Sequence, residues 1–330
     1  MVKPIGKTFY IFPGQGAQYP GMALDLLEAM PELKQLFSMA SDITGKDMAD
    51  LLRNSSPEEL KRTDISQPAI TLANLAAAKY LELKGINVHG SAGFSLGEYA
   101  ALTAAKVISE EDCLSLVTER GKAMQMAVEK INSTGKDAPG MAAVIGLAPS
   151  QVETLITKWA DEGLNDLYAA NFNSPKQTVV SGSSAALDKA EKLFLEAGAR
   201  RVIRLQVGGP FHSPLMKAAA DAFVPALEKV NFHDPVIPVF SNVTGKQVQS
   251  GVEAKALALR QITESVRWTD VEAAITMHEP KTLLEAGPGK VLQGLWKDFT
   301  AADTAGAVNT AEILCYAAGT IAEIDELIKK

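Results

Sequence analysis

The chain has 330 residues, enough for one large domain or for a large domain carrying a smaller insertion. Apolar residues make up 47% and charged residues 22%, an ordinary balance for a globular enzyme, and no apolar run reaches the roughly 18–20 residues that span a bilayer. A net charge of −7 argues against nucleic acid as the main partner, because phosphate contacts need a basic face, yet it leaves room for a local basic patch.

Met1-Val2-Lys3-Pro4 runs directly into a strand-like segment at 8–12, without the pattern of an export signal, so a cytoplasmic location is expected. Short apolar strands (8–12 and 86–92) then alternate with longer amphipathic helices near 21–42, 57–61, 67–84, 97–106 and 110–130. That rhythm predicts a mainly parallel sheet covered on both faces. Ser66 before Gln67-Pro68 reads as a helix start, since proline is tolerated in the first turn. From 132 the rhythm changes. A polar stretch, Asn132 to Gly140, leads into strand 141–146, helix 149–160, strands 167–171 and 177–181, helix 183–197 and strand 200–206. The order β-α-β-β-α-β predicts a small ferredoxin-like subdomain. The larger pattern resumes with strand 236–240, helices 252–263 and 268–277, strand 281–286 and a last helix from about 319. The expected architecture is α/β: a large hydrolase-like domain (1–131 and 207–330) with an inserted α+β subdomain (132–206).

Gly93-Phe94-Ser95-Leu96-Gly97 sits between the strand ending at 92 and the helix beginning at 97. A serine on such a strand-to-helix turn is pushed out at the sheet edge over a helix N-terminus, and flanking glycines let the backbone pass tightly. The same pattern also occurs in ordinary turns, so other residues must decide. A serine hydroxyl needs a base. Of the four histidines, His212 lies in a glycine- and proline-stiffened loop after a strand (Gly208-Gly209-Pro210-Phe211-His212-Ser213-Pro214), whereas His233 and His278 read as surface turn residues.

Arg120 falls on the apolar stripe Cys113, Val117, Arg120, Met124, Ala127, Ile131 of the 110–130 helix. A buried arginine is costly unless a carboxylate meets it. That carboxylate is either an internal acid or a substrate. Phe12-Pro13-Gly14-Gln15-Gly16 frees the Gln15 N–H to point into a crevice at the strand ends; it is a plain turn or an oxyanion donor, and it lacks the Gly-Lys-Ser/Thr of a triphosphate loop. Cys113 and Cys315 have no paired spacing and read as buried thiols, and the histidines show no metal-ligand spacing, so neither a metal nor a bound cofactor is expected.

Seven ordered segments carry a resemblance that covers about residues 8–297: Phe12-Pro13-Gly14-Gln15-Gly16, Gly93-Phe94-Ser95-Leu96-Gly97-Glu98, Arg120-Gly121-Lys122-Ala123-Met124, Asn171-Phe172-Asn173-Ser174-Pro175, Pro210-Phe211-His212-Ser213, Ser241-Asn242-Val243-Thr244-Gly245 and Glu285-Ala286-Gly287-Pro288-Gly289. The chain resembles the malonyl-CoA:acyl-carrier-protein transacylases, including stand-alone acyltransferases of polyketide synthases. The resemblance implies malonyl-CoA as substrate, acyl carrier protein as partner, and a serine ester as intermediate. Ser95 would be the nucleophile and His212 the base. The backbone carbonyl of Gln261 would orient the imidazole, and the N–H groups of Gln15 and Leu96 would receive the oxyanion. Arg120 would grip the malonate carboxylate, and Gln67, Phe94 and Phe211 would line the same pocket.

Phe94 departs from the histidine that the family usually carries before its serine, which bears on acyl preference. Arg200, Arg201 and Arg204 with Lys189 and Lys192 are a candidate docking patch for an acidic carrier, or else a plain solvated face. Three other readings stay open: a carrier-protein thioester hydrolase, which would tend to lose Arg120; an α/β-hydrolase completed by His278; and a non-enzymatic binding module. Phe211 before His212 resembles the family's malonyl-type pattern, in which a bulky ring fills the space of an α-branch, and so implies a preference for malonyl over methylmalonyl. Competition between the two CoA thioesters tests this, and equal acylation of Ser95 by both contradicts it.

Overall fold

The computed structural model describes residues 6–133, 138–302 and 310–329. Met1 to Pro4 and residues 134–137 of the polar stretch lie outside them. Eight strands form two four-stranded sheets: β1 (Thr8–Phe12), β2 (Gly90–Gly93), β3 (Gly140–Ile145), β4 (Leu167–Ser174), β5 (Gln177–Gly182), β6 (Arg201–Arg204), β7 (Thr282–Glu285) and β8 (Leu314–Ala317).

The first sheet runs β2-β1-β7-β8 and is parallel throughout. Its central strand β1, TFYIF, is apolar on both faces because both are covered. Tyr10 and Phe12 face one core, shared with the helices Thr63–Leu83, Gly97–Ala104 and Glu110–Asn132. Phe9 and Ile11 face the other, with Trp268, Val271, Ile275, Leu292 and Trp296. The alternation follows from the two-residue period of a strand.

The second sheet, order β4-β5-β3-β6, is antiparallel. The helices Pro149–Asp161 and Ser184–Glu196 connect β3 to β4 and β5 to β6, and they bury Val152, Trp159, Leu187 and Phe194 in a third core with Val144 and Val180. Sheet two is pinned to the rest of the chain by backbone bonds. Phe172 N–H donates to Val266 O and Val266 N–H to Ala170 O, both at 2.8 Å, and Ser181 Oγ donates to Phe211 O at 2.6 Å.

Several elements differ from the sequence reading. The expected helix 21–42 is two helices, Leu24–Ala29 and Leu33–Thr44, because Pro31 cannot continue the first and holds Met30 extended at φ −132°. The helix expected from Ser66 begins at Thr63, and segment 57–61 holds only a short 3₁₀ turn at Glu59–Lys61. Strand 86–92 narrows to Gly90–Gly93, where β1 offers partners. Segment 236–240 forms no strand, only isolated bridges from Val239 to Ser91 and from Phe240 to Gln247, since Pro235 and Pro238 have no N–H to give a ladder. The helices Met48–Asn54, Lys217–Glu228 and Val291–Ala302 and strand β8 were not anticipated. The helix at 291 is capped from afar: the Glu285 carboxylate accepts the N–H groups of Leu292 at 3.0 Å and Gln293 at 2.8 Å.

The glycines around Ser95 are required by close approach. A Cβ on Gly93 lies 2.0 Å from the Gly97 carbonyl, and one on Gly97 lies 2.0 Å from Phe12 O. Gly97→Ala is therefore expected to destabilise the fold by at least about 3 kcal/mol. Gly294→Ala, on a helix where a Cβ meets nothing within 4 Å, is expected to be neutral or stabilising by up to about 1 kcal/mol. Denaturant unfolding of both variants checks the pair.

Candidate active site

The site forms at the carboxyl ends of β1 and β2, where sheet one faces sheet two across a cavity of about 780 Å³. Ser95 stands on the turn between β2 and the Gly97–Ala104 helix with φ +49°, a left-handed conformation that a serine adopts only when held there. Four bonds hold it. Ser95 N–H donates to Asn242 Oδ1 at 2.6 Å, Asn242 Nδ2 donates to Gly93 O at 2.7 Å, Gln261 Nε2 donates to Ser95 O at 3.1 Å, and Phe94 N–H donates to Phe12 O at 2.9 Å.

His212 also has left-handed backbone, φ +54°, in a loop fixed by Ser213 Oγ donating to Pro210 O at 2.6 Å. Its Nε2 lies 2.8 Å from Ser95 Oγ. Its Nδ1 faces two carbonyl oxygens, Gln261 O at 2.9 Å and Glu264 O at 3.2 Å. Carbonyls only accept, so Nδ1 carries the hydrogen and the Nε2 lone pair meets the serine hydroxyl. Burial, then the nearby Arg120 charge, lowers the His212 pKa to about 4. The imidazole is thus neutral at pH 7 and free to take a proton.

Arg120 is 1% exposed and lines the same cavity. Its Nη2 donates to Gln261 Oε1 at 3.1 Å, and its guanidinium lies 5.7 Å from the Tyr99 ring centre. Its Nε has no partner, and among the described residues no carboxylate forms an ion pair with it. Burial lowers its pKa. The internal acid nearest in effect is Glu98, whose Oε2 is taken by Asn242 N–H at 3.0 Å and Gln261 Nε2 at 2.7 Å. A buried cation lacking its anion, open to a cavity, suits an anionic ligand.

Gln15 and Leu96 both line the cavity, and their backbone N–H groups have no acceptor among the described residues. The two segments touch: a Cβ on Gly14 lies 2.4 Å from Phe94 O and 3.6 Å from Leu96 N. Phe94 and Phe211 complete the wall near Ser95, with Phe94 packed edge-on against Trp268 at 5.5 Å. Gln67 is not brought to the cavity. It is buried, and its Nε2 contacts Met124 Sδ at 3.2 Å, so Met124 stands in the wall in its stead. The helical spacing that puts residue 67 near the site does not decide which side chain reaches it.

The other histidines lie elsewhere. His89 Nδ1 accepts the Thr8 N–H at 3.2 Å, and His278 packs on the Phe9 and Phe240 rings. Cys113 is buried and Cys315 partly so, both as free thiols; no metal-ligand cluster exists among the described residues, and no described helix is long and apolar enough to cross a membrane. Of the basic patch, Lys189, Lys192, Arg200 and Arg201 are exposed, while Arg204 is tied to Asp188 Oδ1 at 2.6 Å and Ser184 O at 3.0 Å. Asn242 and Glu98 had no role in the sequence reading. Both stood inside quoted motifs, which was the available signal.

The family model of the acyl transferase domain matches residues 9–315. A malonyl CoA-acyl carrier protein transacylase of Haemophilus influenzae is 39% identical over 293 residues, covering 88% of this chain and 91% of that protein. The Bacillus subtilis (strain 168) protein of the same name is 35% identical over 319 residues, covering 97% and 98%. Among solved structures, an acyl carrier protein S-malonyltransferase from Vibrio cholerae is similar with a TM-score of 0.86 at 34% identity, covering 97% of this chain and 99% of that one. A malonyl-transacylase in complex with a type II PKS acyl-carrier protein has the same TM-score and identity, covering 98% and 99%. The chain belongs to the malonyl CoA-acyl carrier protein transacylase family of acyltransferases.

The histidine environment has a measurable consequence. The unfolded chain binds this proton near pH 6.5 and the folded chain near pH 4, so this group's share of stability declines as pH falls through that window. NMR titration of the His212 ring is expected to show it neutral from pH 8 to about pH 5; a midpoint between pH 6 and 7 contradicts the described environment.

Proposed function

We propose that the protein moves a malonyl group from malonyl-CoA, through an ester on Ser95, to the phosphopantetheine thiol of an acyl carrier protein. The observation that carries this reading is the Ser95–His212 contact at 2.8 Å in the same cavity as Arg120, which has no ion pair among the described residues. Arg120 binds the free carboxylate of the malonyl group and sets the thioester carbonyl above Ser95. As Ser95 Oγ attacks that carbon, His212 Nε2 takes the hydroxyl proton. The oxyanion accepts the N–H groups of Gln15 and Leu96. Collapse breaks the C–S bond, and the proton on Nε2 passes to the departing CoA sulfur. The second half runs in reverse, with the carrier thiol giving its proton to His212 and attacking the ester, which makes the cycle ping-pong.

Among the described residues no carboxylate completes a triad; the Gln261 carbonyl orients the imidazole. That suits transfer, because the ester must outlast its wait for a thiol and a base strongly activating water would drain it. The hydrolase reading is weakened by the presence of Arg120. The cleft is read as lying between a large hydrolase-like unit (1–131 and 207–330) and an inserted ferredoxin-like unit (132–206), with Arg200 and Arg201 on the latter available to an acidic carrier and no role for nucleic acid, membrane or a bound cofactor. The likeness to a transacylase solved with a type II PKS carrier supports a second reading, a polyketide carrier as acceptor, which shares every chemical step.

Intact-mass analysis after incubation with malonyl-CoA is expected to show one malonyl adduct, lost in Ser95→Ala and discharged by holo-carrier protein. Arg120→Ala is expected to lower kcat/KM for malonyl-CoA by roughly 2–5 kcal/mol, at least about 30-fold. An adduct that persists in Ser95→Ala overturns the assignment.

A further inference from the structure

Glu98 lies on the first turn of the Gly97–Ala104 helix, three residues after Ser95, and is 2% exposed. It bonds Asn242, Ser241 and Gln261, and Gln261 is itself fully buried and touches Ser95, His212 and Arg120. The Gln261 backbone oxygen faces His212 Nδ1 at 2.9 Å. Its side-chain Nε2 donates to Ser95 O at 3.1 Å and to Glu98 Oε2 at 2.7 Å, and its Oε1 accepts from Arg120 Nη2 at 3.1 Å.

A carboxamide has two orientations related by a flip. They have the same shape but exchange donors for acceptors. Here the flipped form sets an NH2 against the guanidinium and an oxygen against two other oxygens, and in a buried site each mismatch is costly. Glu98 and the Ser95 carbonyl on one side, and Arg120 on the other, therefore select a single form. Arg120 has no carboxylate ion pair among the described residues, so Gln261 Oε1 aims it together with the Tyr99 side chain.

We propose that Glu98 is a positioning residue for the acyl-carboxylate site: by holding the Gln261 side chain in one orientation it aims Arg120, while the Gln261 backbone carbonyl orients His212 independently. The proposal rests on the reading of Arg120 given above as the carboxylate anchor. Glu98 Oε2 accepts both Asn242 N–H and Gln261 Nε2, and the Ser241 side chain also bonds the carboxylate. Burial raises its pKa to about 7, and a protonated acid still keeps one acceptor oxygen. The role therefore needs an oxygen at this place rather than a charge, and a glutamine can fill it.

The test compares single-turnover acylation of Ser95 by malonyl-CoA and by acetyl-CoA, which lacks the carboxylate, followed by intact mass over seconds to hours. Glu98→Leu is expected to lower kcat/KM for malonyl-CoA by about 30-fold and that for acetyl-CoA by no more than about 3-fold. Glu98→Gln, which keeps the acceptor, is expected to restore the malonyl-to-acetyl ratio to within about 3-fold of wild type. Gln261→Met, which removes the amide and keeps the backbone carbonyl, also loses the bond to Ser95 O and slows both thioesters, yet it is expected to lower the malonyl-to-acetyl ratio by about 10-fold and serves where Glu98→Leu does not fold. A ratio unchanged in Glu98→Leu or Gln261→Met, or a Glu98→Gln ratio as low as that of Glu98→Leu, overturns the proposal. Wild-type protein that forms no ester on Ser95 sinks the anchor reading itself, a different result from an active wild type whose variants keep their ratio.

Discussion

The hydrogen bond from Ser95 N–H to Asn242 Oδ1, 2.6 Å long, holds a residue that is not glycine in left-handed backbone, and the rest of the site depends on it. Such a conformation costs on the order of 1–3 kcal/mol and persists only when its surroundings over-determine it. The surroundings do so here from three directions. Asn242 grips the turn on both sides, through Ser95 N–H and Gly93 O; Gln261 holds the Ser95 carbonyl; and the end of β1 accepts the Phe94 N–H. Released from that grip, the hydroxyl would lose its aim at His212, and the Leu96 N–H its aim at the cavity.

The electrostatics follow from burial more than from paired charges. Arg120, Glu98 and His212 are all shut away from solvent, and their pKa shifts move in the direction that disfavours charge. Gln261 stands among them with donor and acceptor on opposite sides, so one neutral side chain separates a cation from an acid that does not neutralise it. The cation is left with capacity for an outside carboxylate. Burial leaves the imidazole neutral at pH 7, with Nδ1 facing two carbonyl oxygens and Nε2 2.8 Å from Ser95 Oγ.

Legibility in the sequence tracked the distance over which each signal acts. The serine turn was readable because Gly93, Ser95 and Gly97 sit within five residues, and Arg120 because a helical stripe exposes a misplaced charge. Gln67 shows the limit of that method: its neighbourhood was right, but packing put Met124 in the wall. Segment 236–240 read as a strand from its apolar residues, while the missing proline N–H groups left only isolated bridges. The helix at 291 was missed because its cap, Glu285, arrives from the end of a strand.

By itself the sequence determined the alternation of strands and helices, the family, and which few side chains have chemistry to offer, because those properties reside in spacing and residue type. Tertiary structure decided that His212, 117 residues from Ser95, meets it at 2.8 Å, that Arg120 has no carboxylate ion pair among the described residues, and that Gln261 links all three. Hydrogen-bond partnership between distant segments depends on orientation and burial fixed only when the sheets and helices pack, and no local pattern encodes it.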